Sequence, residues 1–293
     1  MDVLAGYSLS RLTTIGSGGP AAAFARPASL AELEEAIAWA GARELPVRTV
    51  GLGSNVLADD AGVEALVLRL AGDLASVEVD GDLLRAGGGA TNATCLHRAR
   101  DAGLGGLEFA CAIPGTAGGG VRMNAGAYGS DWSAILVRAL VVSADGSGWL
   151  TPDELGLDYR RSLLRPEHVV ARVEYRLVER PVEEIKATVA DLVARRKATQ
   201  PTNKRTFGSV FKNPPGELGA GRMLELCGLK GHIVGGAVVS PRHANFIENA
   251  GGATSADCLA LMAEARRRAR EQFGVELEHE VVFLGALADG ERT

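Results

Sequence analysis

Glycine-framed segments hold the residues of this chain best suited to chemistry. Gly51-Leu52-Gly53-Ser54-Asn55-Val56 follows an apolar strand pattern. Ile113-Pro114-Gly115-Thr116-Ala117-Gly118-Gly119-Gly120 and Asn124-Ala125-Gly126-Ala127-Tyr128-Gly129 come later. The chain has 38 glycines among 293 residues, nearly twice the usual share of about 7%. They cluster rather than repeat, so no solenoid or collagen period fits. Glycine lets the backbone turn at positive φ and approach a ligand closely. Successive N–H groups presented in this way form an anion-binding nest that needs no lysine or arginine. Ser54, Asn55, Thr116 and Asn124 could add side-chain donors for a pyrophosphate. The same glycines would serve tight turns alone, and the residues by themselves leave both readings open.

Other chemistries are excluded by pattern. Gly51-Leu52-Gly53 lacks the third glycine of a dinucleotide fingerprint, and Asp59-Asp60 stand where its helix should begin. No phosphate loop of the G-x-x-x-x-G-K-[ST] type and no G-x-S-x-G nucleophile elbow occurs. His97, His168, His232, His243 and His279 fall at no metal-ligand spacing. Cys95, Cys111, Cys227 and Cys258 form no C-x-x-C pair. These four thiols read as reduced, in a cytoplasmic setting. A net charge of -5 argues against a nucleic-acid partner, which needs a basic face. The Arg266-Arg267-Arg268 run with Arg270 reads as a solvated helix face. No apolar stretch is long enough to span a membrane.

The elements that must position these segments are helices mixed with short strands. Ser29-Leu30-Ala31-Glu32 is a capping box that opens a helix to about residue 43, with Leu30, Leu33, Ile37 and Ala40 on one face. Residues 46–50 and 65–70 read as strands. Residues 77–80 and 83–86 form a hairpin about Asp80-Gly81. A helix over 92–102 stops at Gly103. Residues 135–143 and 169–178 are strands, and Pro181 opens a helix carrying Ile185, Val189, Leu192 and Val193 inward. Further on, a short helix over 221–227 and strands over 237–240 and 245–248 precede a helix from Thr254 to Phe273. A last strand covers 275–284. Without a regular βαβα rhythm this is an α+β chain rather than a doubly wound one.

Taken together the motifs resemble one family. Gly51-Leu52-Gly53-Ser54-Asn55-Val56-Leu57, Gly106-Leu107-Glu108-Phe109, Ile113-Pro114-Gly115-Thr116 and Met123-Asn124-Ala125-Gly126-Ala127-Tyr128-Gly129 are similar to FAD-binding segments of the UDP-N-acetylenolpyruvoylglucosamine reductases. So are Tyr159-Arg160-Arg161-Ser162, Gly208-Ser209-Val210-Phe211-Lys212-Asn213-Pro214 and Leu277-Glu278-His279-Glu280-Val281. They stand in the family's order across residues 14–285. No Tyr-bearing insertion precedes Ser209, so the chain resembles the shorter, type II form. It departs from the family pattern at Ile15-Gly16-Ser17 and at Val282.

The resemblance implies an α+β FAD-binding fold of the vanillyl-alcohol-oxidase-like (PCMH-type) class in two subdomains, plus a smaller α+β substrate-binding domain. The expected boundaries are 1–69 joined by 283–293, then 70–198, then 199–282. It implies non-covalent FAD, NADPH as electron donor, and reduction of an enolpyruvyl UDP-sugar during peptidoglycan synthesis. FAD contacts are expected from Gly51, Gly53, Ser54, Asn55, Val56, Ile113, Pro114, Gly115, Thr116, Gly119, Asn124, Gly126, Ala127 and Tyr128. Tyr159, Lys212 and Asn213 are expected to touch substrate, and no metal is implied. Arg160 and Glu280 would stabilise charge developing toward the substrate carboxylate, and Ser209 would supply a proton. A forked, permanently charged guanidinium suits the first task. A monomer or weak homo-oligomer is expected. Two alternatives remain: another flavin-dependent sugar or alcohol oxidoreductase of this fold, or a catalytically silent FAD-binding paralogue.

Overall fold

The computed structural model describes residues 1–287; the part of the expected C-terminal return beyond residue 287 lies outside the described residues. The chain forms two compact units. The first holds Met1–Ala5, Ala23–Leu52 and Ala65–Arg196; the second holds Gly6–Ala22, Gly53–Glu64 and the chain from Lys197 on.

The first unit is built on a five-stranded antiparallel sheet in the order Gly146–Leu150, Leu136–Ser143, Val169–Arg176, Leu83–Gly87, Val77–Asp80. Successive side chains of a strand point to opposite faces. Here each face carries apolar residues into a core. Ala139, Val141, Val173 and Tyr175 join a core with Cys95, Leu96 and Ala99 of the helix Asn92–Asp101 and Val121 of the helix Ala117–Met123. Leu140, Val142, Val169 and Ala171 join another with Leu33, Ala36, Ile37 and Ala40 of the helix Leu30–Gly41. A strand segment covered on both sides is apolar throughout, which is why 139–142 and 169–171 read as unbroken hydrophobic runs. Each such Leu or Val side chain contributes roughly 1.5–3 kcal/mol on burial. Buried Trp132 donates to the Tyr175 hydroxyl at 2.7 Å and meets Phe109 edge to face.

The second unit carries a four-stranded antiparallel sheet, ordered Thr206–Ser209, Phe246–Asn249, Ala237–Val239, Ile233–Val234. Phe207, Val239 and Ile247 pack with Leu224 of the helix Ala220–Leu226 and with Leu261, Met262 and Ala265 of the helix Ser255–Phe273. Thr254 and Asp257 complete a reciprocal capping box on the long helix, and Gly274 ends it in the left-handed conformation at φ 68°. Its arginines are tied along the solvent side, Arg267 to Glu264 and Glu271, Arg268 to Glu264. Val56–Ala58 pairs in parallel with Val282–Leu284.

Several expected details differ. Ser29 accepts from the Glu32 N–H, but the Glu32 carboxylate takes the Ala28 N–H at 2.7 Å rather than that of Ser29, so the box closes one residue earlier. Helix Val182–Thr199 buries only Ile185 fully; Val189, Leu192 and Val193 are half-buried. The last strand is confined to Val282–Leu284, because the residues before it make isolated backbone bonds instead of a continuous ladder. All four cysteines are free thiols, and burial pushes Cys95 and Cys258 up to about 12.

On the five-stranded sheet, Arg138 and Arg85 both reach Glu174. The hydrogen-bonded Arg138 guanidinium holds the Glu174 carboxyl below its ordinary value of 4.5. The stabilisation is therefore present above that ordinary range and fades as pH falls below it. Urea midpoints of wild type and Glu174→Gln should differ most above the ordinary carboxylate range and draw together as pH falls below it. A difference that does not change with pH would contradict the assignment.

Candidate active site

The first unit contains a cavity of about 310 Å3 whose walls come from separate stretches of chain: Thr49 to Leu52, Arg69 to Gly72, Gly88 to Thr91, Thr116 to Gly119, and Arg122. Gly51 is needed here for contact rather than for turning. A Cβ on it would lie 2.6 Å from Thr116 Oγ1 and 3.0 Å from Thr116 Cγ2. Thr116 caps the helix Ala117–Met123, its hydroxyl accepting from the Gly119 N–H. It also bridges Thr91, the N-cap of the helix Asn92–Asp101. The glycine motifs at 51 and 115–119 thus meet at one wall, as side-chain-free backbone.

Two polar atoms on this wall, Thr49 Oγ1 and His168 Nδ1, are buried without a partner. Arg165 Nε donates to His168 Nε2 at 3.0 Å. That places the imidazole proton on Nδ1 and makes it a donor. Burial, then Arg165, pushes the His168 pKa down, so the ring is neutral at physiological pH. Arg26, Arg69 and Arg122 line the same cavity and no carboxylate does. Cations, orphaned donors and close backbone fit a ligand with phosphates and ring heteroatoms, as FAD is. Gly88 and Gly89 belong to the glycine run at 87–89, whereas Arg26, Thr49, Arg69, Arg122 and His168 carry no motif signal, since they come from scattered positions.

A second cluster in the first unit surrounds Arg160. Its Nη2 donates to the Gly126 carbonyl at 2.6 Å and its Nη1 to the Asn124 carbonyl at 3.4 Å, and the guanidinium lies 4.9 Å from the Tyr159 ring centroid. Asn124 is buried, and its carboxamide joins neighbouring loops by donating to the Asp158 carbonyl and accepting from the Ser133 N–H. Asn124, Tyr128 and Arg160 all have positive φ, at 38°, 55° and 54°. Each such non-glycine residue costs about 1–3 kcal/mol. That three share one cluster marks this place as held against its local preference. Tyr128 donates to the Leu192 carbonyl at 3.1 Å. The Ile113 carbonyl accepts from the Asn92 side chain, Pro114 and Gly115 follow it in the loop, and Ala127 pairs with Ser130 in a two-residue strand.

The second unit holds Gly53, Ser54, Asn55, Val56, Ser209, Lys212, Asn213 and Glu280. The backbone aligns two segments here. Glu280 N–H donates to the Val210 carbonyl at 2.8 Å, Lys212 N–H to the Glu278 carbonyl at 2.9 Å, and Phe211 bridges His279. Ser209 therefore stands one residue from the backbone partner of Glu280. Asn55 Nδ2 fixes the Glu280 carbonyl at 2.9 Å. Lys212 Nζ meets Glu278 at 2.5 Å, and the Asn213 side chain accepts from the Ala220 N–H.

Residues 200–284 match the family model of the UDP-N-acetylenolpyruvoylglucosamine reductase C-terminal domain, and residues 21–149 match an FAD-binding domain model. The chain is 45% identical over 279 residues to UDP-N-acetylenolpyruvoylglucosamine reductase 2 of Symbiobacterium thermophilum, covering 94% of this chain and 90% of that one. The reductase of Rubrobacter xylanophilus is 43% identical, covering 94% and 93%. The chain belongs to the UDP-N-acetylenolpyruvoylglucosamine reductase family. The crystal structure of a family member from Thermus caldophilus superposes with a TM-score of 0.83 at 37% identity, covering 97% of this chain and 98% of that one. Ser209, Lys212, Asn213 and Glu280 lie within the stretch matching the reductase C-terminal domain. The glycine motifs lie within the stretch matching the FAD-binding domain, and Tyr159 and Arg160 fall between the two.

The contact between Gly51 and Thr116 is open to a double-mutant test. Gly51→Ala should destabilise by about 1–3 kcal/mol through overpacking, and Thr116→Ala by about 1 kcal/mol through loss of the cap. The double variant should cost less than both effects added, because the shortened Thr116 makes room for the new methyl. Strict additivity in urea unfolding would contradict the contact.

Proposed function

We propose that this chain reduces the enolpyruvyl ether of UDP-N-acetylglucosamine enolpyruvate to UDP-N-acetylmuramate, using FAD and NADPH, as a step of peptidoglycan precursor synthesis. One observation carries the reading. Arg160, with its guanidinium held on the Gly126 carbonyl, and Ser209 and Glu280, each on hydrogen-bonded backbone, stand in the motif positions of a chain 45% identical to a reductase over 94% of its length.

Bound FAD, once reduced by NADPH, supplies the hydride that no side chain can give. Gly51, Gly53, Ser54, Asn55, Val56, the Ile113-Pro114-Gly115-Thr116 turn, Gly119, Asn124, Gly126, Ala127 and Tyr128 are the residues proposed to hold the cofactor. Asn124 serves indirectly, since its side chain ties loops together. Arg160 is assigned to the negative charge that develops toward the substrate carboxylate when the methylene carbon is reduced. Its bonds to two carbonyls fix its direction before substrate arrives, and a preoriented donor of this kind typically lowers a barrier by ~3–4 kcal/mol. Glu280, with its backbone held at both N–H and C=O, is assigned to the same charge and helps when it carries a proton it can share. Ser209 is assigned to deliver the proton to the remaining carbon. Tyr159, Lys212 and Asn213 are assigned to the UDP-sugar, with Lys212 exchanging its Glu278 partner for a phosphate. The domain limits proposed for these tasks are 1–69 with the C-terminal return, 70–198 and 199–282.

The two half-reactions separate these roles. Ser209→Ala should leave flavin reduction by NADPH within about twofold of wild type while slowing reduction of the enolpyruvyl sugar by roughly a hundred- to ten-thousandfold. Stopped-flow absorbance of each half-reaction gives the answer. An equal loss in both would remove Ser209 as the proton donor.

A further inference from the structure

Ser209 ends its strand at an irregular place. The ladder between Thr206–Ser209 and Phe246–Asn249 slips between Thr206 and Ser209, and Gly208 stands inside the slip at φ 82°. Such a bulge re-aims the residues beside it, so the upstream strand does not by itself fix Ser209. The anchors lie downstream, and one residue supplies them. Val210 N–H donates to the Asn245 carbonyl at 2.9 Å. Phe211 N–H donates to Asn245 Oδ1 at 2.9 Å, and Asn245 Nδ2 donates to the Phe211 carbonyl at 2.8 Å. The Asn245 carboxamide thus does for Phe211 what a peptide unit of a neighbouring strand would do. An ionised Asp at this place would offer acceptors only. Asn245 is 4% exposed and Phe211 2%, so solvent does not supply these bonds. The loop behind Asn245 is tied in turn. Asn245 N–H donates to His243 Nδ1 at 3.2 Å, and the buried Ser240 hydroxyl accepts from the N–H groups of Arg242 and His243.

We propose that Asn245 is a positioning residue for the reaction: its three bonds to Val210 and Phe211 set the direction from which Ser209 delivers its proton. The inference rests on the assignment of Ser209 as proton donor and adds a residue that lies outside the sequence motifs. Lys212 and Asn213, farther along the segment, have anchors of their own. Lys212 N–H donates to the Glu278 carbonyl at 2.9 Å, and Asn213 Oδ1 accepts from the Ala220 N–H at 3.0 Å. Loss of the carboxamide therefore falls first on Ser209. A misplacement of ~1 Å at a reacting group is enough to cost about a hundredfold in rate.

Anaerobic stopped-flow absorbance on the holoprotein, in a cycle of Asn245→Leu, Ser209→Ala and the double variant, tests this. Asn245→Leu should slow reduction of the enolpyruvyl sugar roughly ten- to a hundredfold and leave flavin reduction by NADPH within about twofold of wild type. In the Ser209→Ala background the same substitution should change the residual rate by less than about twofold, because the group it aims is already gone. A purely structural role gives the opposite pattern: both half-reactions slow, or the same loss recurs without Ser209. Either result would overturn the proposal. So would a wild-type rate of sugar reduction in Asn245→Leu while Ser209→Ala is slow. Sugar reduction at full rate in Ser209→Ala removes the proton-donor reading itself, and this inference with it. Should Asn245→Leu fail to fold, Asn245→Ser decides by the same criteria, since its hydroxyl stands one bond short of both contacts with Phe211 and leaves room for solvent.

Discussion

Contact between bare stretches of backbone organises the first unit. Gly88 sits where a Cβ would run into the Val170 carbonyl, while its own N–H donates to the Ala171 carbonyl at 2.8 Å and its carbonyl accepts from Gly118 N–H at 2.9 Å. The neighbouring Gly89 N–H reaches the Leu74 carbonyl at 2.8 Å. Central strand, loop and helix start therefore meet with no side chain between them. The cavity wall exists because of this meeting, and so does the start of the helix that carries Arg122 and Asn124. A side chain at Gly88 would force these elements apart, and the loss would reach both the cavity and the Arg160 cluster.

The rest of that unit resists such separation. Its central strands are gripped on two faces, by one core on each side, so their register is fixed from both directions. That rigidity supports the strained residues. Asn124, Tyr128 and Arg160 hold positive φ while side-chain hydrogen bonds tie each of them to a backbone carbonyl of another segment. Such outliers persist only where the surroundings over-determine them. The second unit follows a different logic. Its aligned segments 210–212 and 278–280 are joined by a few isolated backbone bonds and an Asn55 clamp, which fixes positions without forming a continuous sheet.

Much of this was legible in the sequence, for identifiable reasons. Local signals worked where the chemistry is local: the helix from Thr254 to Phe273, which a capping box opens and a left-handed glycine closes, and the hairpin at Asp80-Gly81. The α+β class and the family followed from ordered motifs. The strand Pro20–Ala25 left no trace because its residues are mostly alanine, which has low strand preference. The helix after Pro181 looked amphipathic, but most of its apolar residues are only half covered. The arginines of the cavity were invisible as a group. Residues 26, 69 and 122 come together only through tertiary packing, and each alone reads as a surface charge. Arg122 in particular gives no hint in sequence of its desolvation, because the carbonyls that surround it come from residues 164–168.

The central claim is that this chain passes electrons from NADPH through a non-covalent flavin to an enolpyruvyl sugar nucleotide. Anaerobic mixing of the NADPH-reduced holoprotein with UDP-N-acetylglucosamine enolpyruvate tests it in one step. The account requires the oxidised flavin absorption to return in the absence of oxygen, with one equivalent of the saturated lactyl ether formed per flavin. A flavin that stays reduced until air is admitted would contradict it.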